Sequence, residues 1–153
     1  MPVGELADVV VLGACPRDAT IYHGSFALPC AVPLSKPGAA IIWAAPCLSG
    51  PGTREQRIAF RDRLTMPSDE LMAAIKRGEV PASGGVFDWC LGHVVQRNRV
   101  VLVSDRISRD EAVEFGFAVA PSIQEALDAE LAANPAARVR VDPVGGLAVP
   151  IYP

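Results

Sequence analysis

The chain has 153 residues, half of them apolar and a fifth charged, with a formal net charge of −3. A polypeptide of this length and apolar content can bury roughly 70% of its unfolded surface around one core, which argues against intrinsic disorder. Neither sign of charge forms a long run and no apolar stretch reaches the ~20 residues of a membrane helix, so neither nucleic acid nor a bilayer is an expected partner.

The amino-terminal stretch carries an acid, Glu5, where a secretory signal would be basic, and runs straight into a strand-like segment. No targeting segment is read there, which points to the cytoplasm. Residues 8–13 (DVVVLG) predict the first strand. The loop Gly13-Ala-Cys-Pro-Arg-Asp-Ala-Thr20 follows, and a second strand is expected over 39–45 (AAIIWAA). Helices are expected over 53–64, 67–77 and 86–97, then a strand over 99–104 (RVVLVS), helices over 108–115 and 122–133, and a short strand over 138–141. The first three strands are unalternating apolar runs, as parallel strands covered on both faces require. Thr53 with Gln56, Ser108 with Glu111, and Ser122 with Glu125 have the spacing of a capping box, which marks three of the helix starts. Strands alternating with helices give a single α/β domain over residues 1–153, a three-layer α/β/α sandwich with a mainly parallel sheet.

Ligands of such sheets bind beyond the carboxyl ends of the strands, so the loops to watch begin at Gly13, Pro46 and Ser104. There is no GxGxxG after the first strand and no GxxxxGK[ST], which disfavours dinucleotide and P-loop chemistry. The loop Cys47-Leu-Ser-Gly-Pro-Gly52 precedes a helix and offers amides to an anion, but this is a weak signal and a plain turn is the stronger reading. Two histidines are present and no GxSxG elbow accompanies them. His93 lies in an apolar run and reads as a core or helix-face residue. His23 lies just past the first loop, where the α/β rule places ligands, and is the candidate proton carrier. Asp18 and Asp105 both follow strands, where an Asp is more often a turn former or cap than a base. Trp43 reads as core or interface and Trp89 as helix packing.

The four cysteines, Cys15, Cys30, Cys47 and Cys90, show no CxxC pair and no zinc-like spacing to histidine, so reduced thiols are expected and no metal site is assigned. A catalytic thiol, Cys15 or Cys30 activated by His23, is one further possibility. Charge is uneven along the chain: between Asp18 and Arg54 the only charged side chain is Lys36, although Tyr22, Phe26, Leu28, Ile41 and Trp43 fall in that window. So apolar a segment suggests a partner surface over residues 19–52 in addition to core.

The run Gly13-Ala-Cys-Pro16-Arg-Asp18-Ala-Thr-Ile21-Tyr22, followed by Ser35-Lys36-Pro-Gly38-Ala-Ala-Ile41-Ile42-Trp-Ala44, resembles the carboxy-terminal domain of the nickel-dependent lactate racemase family. The pattern there is approximately G-x-P-x-D-x-x-I-Y-Q and then K-x-G-G-x-I-I-x-x-A. Val94-Val95-Gln96 before the third strand and Ser122-Ile-Gln-Glu-Ala126 resemble later parts of the same domain, so the similarity runs through nearly the whole chain.

The resemblance implies racemisation or epimerisation of a 2-hydroxy acid by reversible hydride transfer to a nickel pincer nucleotide. In the family that cofactor and the two acid–base histidines belong to an amino-terminal domain, for which this chain has no counterpart. The chain alone is then expected to bind no cofactor and to be inactive, forming one wall of a cleft completed by an amino-terminal racemase-type domain or subunit. The alternative is a non-catalytic interaction module that keeps the fold and homodimerises, or binds another protein, through the apolar surface of residues 19–52. Asp18, Tyr22, His23 and Phe26 would face the cleft. His23 and Phe26 occupy the positions of a family glutamine and lysine, and Val86, one turn before Trp89, occupies that of a family tryptophan. Replacing a lysine by Phe removes a cation that could hold a carboxylate or phosphate.

Overall fold

A computed structural model describes residues 4–145. Five strands form one all-parallel sheet in the order β4-β3-β2-β1-β5: β1 Ala7–Gly13, β2 Ser35–Ala44, β3 Arg99–Val103, β4 Ala118–Val119 and β5 Val139–Asp142. The three apolar runs of the sequence are the three central strands. Val10 pairs with Ile41, and Ile41 with Val100, so β-branched side chains stack across the middle of the sheet. At the outer edge Val9 pairs with Val139, which closes the first strand onto the last.

The two faces are covered unequally. On one, Leu12, Ile41, Trp43, Val100 and Leu102 meet a thick helical layer that contributes Ile21, Leu28, Leu34, Phe60, Leu64, Leu91 and Phe115. That layer is made of α1 Ile21–Gly24, α2 Leu28–Ala31, α3 Arg54–Thr65, α4 Ser68–Lys76, α5 Ala82–Arg97 and α6 Arg109–Glu114, with 3₁₀ turns at Ser25–Ala27 and Val32–Leu34. The other face, with Val9, Val11, Ala40, Ile42 and Val101, packs on Ala126 and Leu127 of α7 Ile123–Ala133. The architecture is the three-layer α/β/α sandwich, with a sheet that is parallel throughout. Among the described residues no helix is long and apolar enough to cross a membrane.

Four elements depart from the sequence expectation. Residues 21–34 are helical in single turns, because Pro29 and Pro33 sit near the starts of successive turns, where the missing N–H costs nothing. β2 starts at Ser35 rather than residue 39, running through Pro37 and Gly38 with an irregularity in its pairing to β1 between Ala7 and Val9. α5 starts four residues before the expected position, at Ala82, through the poor helix formers Ser83, Gly84 and Gly85. Gly85 is required there, since a Cβ would lie 2.7 Å from Val80 Cγ1 of the preceding turn and 2.9 Å from Ile75 Cγ1. β4 is a two-residue strand that no periodicity announces.

The large apolar side chains of the charge-poor window are mostly core. Ile21, Leu28, Leu34, Ile41, Ile42 and Trp43 are all fully buried, and Leu48 is the large aliphatic of that window that stands exposed. The helical segment folds over β1 and β2, so the lack of charge reflects burial on both sides and does not by itself indicate a broad partner surface.

Candidate functional site

The site is built where β1 and β2 end. The loop after β1 and the loop after β2 are joined by backbone hydrogen bonds: Leu48 N–H donates to the Asp18 carbonyl (3.1 Å), Ser49 N–H to Ala19 (2.7 Å), and Ile21 N–H to Gly50 (3.3 Å). The second loop bends tightly to do this, with positive φ at Cys47, Gly50 and Gly52. The third loop joins the rim through Ser104, whose hydroxyl donates to the Pro46 carbonyl at 3.1 Å.

This pairing sets the turn 20–23 against the start of α3. Thr20 caps α1, its hydroxyl oxygen accepting the His23 backbone N–H at 3.2 Å. Thr53 caps α3 in a complete capping box with Gln56. Between them lies a concavity of about 100 Å³, bounded by Thr20, Tyr22, His23, Pro51, Gly52 and the α3 face Gln56, Arg57, Phe60 and Arg63.

His23 is exposed at the rim, with Nδ1 2.8 Å from Thr20 Oγ1. The Thr20 oxygen already accepts a backbone N–H and can give its own proton to Nδ1, the pairing of the tautomer that carries its ring proton on Nε2. Tyr22 forms the inner wall, edge-on to His23 (5.8 Å), Phe60 (5.2 Å), Phe26 (5.5 Å) and Phe87 (6.0 Å) between ring centroids. Burial pushes the Tyr22 hydroxyl above its ordinary value; the Asp88 charge adds to the rise and Arg63 opposes it. The phenol is thus protonated at neutral pH, a hydrogen-bond donor and not a base.

The cations of the concavity are tethered from behind. Arg57 pairs with Glu111 (3.3 Å) and lies 3.9 Å from Glu114 of α6. Arg63 donates from Nε to Oδ2 of Asp88, a fully buried residue of α5. Burial raises the Asp88 carboxyl above the usual carboxylate range, and Arg63 draws it back.

Of the residues singled out in the sequence, the structure brings Tyr22 and His23 together in this concavity. Asp18 enters through its carbonyl, in the loop pairing, and does not line the concavity. Phe26 stands outside it as well, stacked on Phe87 at 4.1 Å with the Arg17 guanidinium 5.3 Å above the ring, so a cation is carried next to the position where the family resemblance had suggested one lost. His93 is an exposed helix-face residue against Trp89, and Trp43 is core. Asp105 is exposed near the start of the third loop. No cysteine is hydrogen-bonded to His23, and burial pushes the Cys30 thiol up, against a thiolate nucleophile at that position. Gln56, Arg57, Arg63 and Asp88 were not anticipated. The one available signal was Asp88 itself, the sole acid in the apolar stretch 86–95.

Among the described residues no three His, Cys, Asp or Glu side chains gather as metal ligands.

Searches with protein-family models and against curated proteins return no match. Among solved structures, the lactate racemase apoprotein from Thermoanaerobacterium thermosaccharolyticum superposes with a TM-score of 0.73 at 20% identity, covering 99% of this chain and 36% of that chain. At that identity the likeness is one of fold. The chain spans about a third of the racemase's length.

Proposed function

We propose that this chain acts as the carboxy-terminal-type domain or subunit of a lactate-racemase-like racemase or epimerase of 2-hydroxy acids. In this reading it is inactive alone and forms one wall of a cleft whose other wall is an amino-terminal racemase-type domain. The observation that carries the reading is the alignment of 99% of the chain with one part of a lactate racemase, 36% of that protein. The position of the concavity at the carboxyl ends of β1 and β2 supports it, since this is where α/β sheets take their ligands. The nickel pincer nucleotide that supplies hydride chemistry in such enzymes would be held by the other wall.

The contribution of this chain is then binding and proton handling. His23 presents its ring edge as a donor or proton carrier, fixed by Thr20. Tyr22 stays protonated and walls off water with Phe60. In the assembled enzyme His23→Ala is expected to lower the rate of interconversion of D- and L-lactate by about 100-fold, the lower range for loss of a positioned acid–base group. Unchanged turnover would remove His23 from the chemistry. Purification of the full chain as a self-associated species, with no racemase-type partner and no activity on adding one, would overturn the reading as a whole.

A further inference from the structure

The concavity has a charge pattern that the functional reading does not require. Its lining contains two arginines and a histidine and no carboxylate. Nothing among the described residues is hydrogen-bonded to the Nη1 and Nη2 groups of Arg63, because Asp88 occupies Nε alone. Arg57 Nε is buried without a hydrogen bond among the described residues, its ion-pair partner Glu114 standing 3.9 Å away, so Arg57 adds positive charge to the hollow more than a free donor. The Arg63 side chain is partly open to solvent, so its two outer nitrogens are free for an acceptor, and two arginines on one helix face of a single hollow make a place that suits an anion.

Asp88 gives the same indication from the protein side. A fully buried carboxylate in mid-helix, among Val86, Phe87, Trp89 and Leu91, is a poor stabilising device, since its desolvation offsets much of the attraction to Arg63. What the pair does achieve is orientation: it fixes a long, flexible side chain by one nitrogen and leaves the other two for a ligand. Those two nitrogens match the spacing of a carboxylate's two oxygens, which a lysine would not. The rest of the lining, Tyr22, Phe60 and Pro51, is apolar and suits the carbon end of a small acid. About 100 Å³ is far below the roughly 300 Å³ at which drug-sized and nucleotide pockets begin.

We infer that the concavity is a carboxylate subsite belonging to this chain, with Arg63 as the binding residue, Arg57 assisting and Asp88 as the positioning residue. It rests on the functional reading above only for which acid is bound; the subsite itself rests on the cavity and its arginines.

The test is an NMR titration of the full 153-residue chain with lactate, acetate and inorganic phosphate in turn. Lactate and acetate should give saturable shifts at Thr20, His23, Gly52 and the Arg63 side chain. The double variant Arg63→Gln/Asp88→Asn, which leaves no unpaired charge in the core, should weaken that binding at least tenfold, roughly the loss of one bidentate pair. Arg63→Lys keeps a cation beside Asp88 and so keeps the fold, yet should also weaken binding, while Arg97→Gln, far from the hollow, should not. Carboxylate binding that is indifferent to Arg63→Lys, or phosphate binding without carboxylate binding, overturns the proposal, as does a lack of saturable shifts. Arg63-dependent binding in a chain whose assembled form racemises nothing would sink the functional reading and leave the subsite. Racemisation that ignores Arg63 would do the reverse.

Discussion

At the scale of single residues the molecule keeps its least comfortable group, the Asp88 carboxylate, beside its candidate site. The sign of its effect follows from burial: an acid whose pKa is raised above 3.8 in the folded state holds its proton more tightly folded than unfolded. Stability is therefore lost as pH climbs from that value through the raised one, and the cost is fully present above it. Denaturant midpoints measured from about pH 4 to pH 7 should fall for the wild-type chain relative to Asp88→Asn, and parallel curves would show that the carboxyl is not desolvated as described. Arg63→Ala, which abandons the charge instead of removing it, is expected to cost about 3 kcal/mol by urea unfolding. Neither residue was legible as a site in the sequence, because the pair spans 25 positions and joins two helices whose packing no local pattern encodes. His23 and Tyr22 were legible, since they follow a strand end closely and the chain has few other candidates.

At the scale of elements the helix caps divide by quality. Ser108 and Glu111 complete their box, the Ser108 oxygen accepting the Glu111 N–H at 3.3 Å and the Glu111 carboxylate accepting the Ser108 N–H at 2.9 Å. Ser122 accepts the Glu125 N–H at 3.1 Å, but Glu125 meets the Ser122 hydroxyl and not its backbone, so that box is half made. Ser108→Ala and Ser122→Ala should each cost about 1 kcal/mol by chemical denaturation, since each removes the same kind of side-chain cap, whereas Glu111→Ala should cost more than Glu125→Ala; equal losses from the two glutamates would mean that the reciprocal bond contributes nothing. The bonds from Ser108 also hold the Glu111 carboxyl below its ordinary value of 4.5. Their contribution is present above that pH and should disappear on acidification through the lowered value, a decline that Glu111→Gln should flatten. These helices could be read from the sequence because capping and apolar runs act over a few residues. The helical turns over 21–34 could not, because Pro29, Pro33 and Gly24 read as breakers, and only packing over Trp43 makes single turns worthwhile. The start of β2 was hidden in the same way by Pro37 and Gly38, which look like a turn and lie in a strand.

At the scale of the whole molecule the thick helical layer protects what lies beneath it. Cys15 is exposed on the loop after β1, whereas Cys47 is fully buried and its thiol is pushed up to about 11, chiefly by burial. In the native state iodoacetamide should label Cys15 first and leave Cys47 untouched until the chain is unfolded; early labelling of Cys47 would mean that the joined loops open readily. The pairing of the first strand with the last has a further consequence, for the way the fold is reached. Asp8 accepts the Arg138 N–H across 130 residues, and Val9 and Val11 stay on an open edge until that partner arrives. This contact closes nearly the whole chain into one loop, and long-range parallel pairing of this kind slows folding. Until then β1 offers an unpaired apolar border to its neighbours. A synthesis interrupted before residue 139 would release a sheet with that border still open, and aggregation, not partial activity, is the outcome it favours.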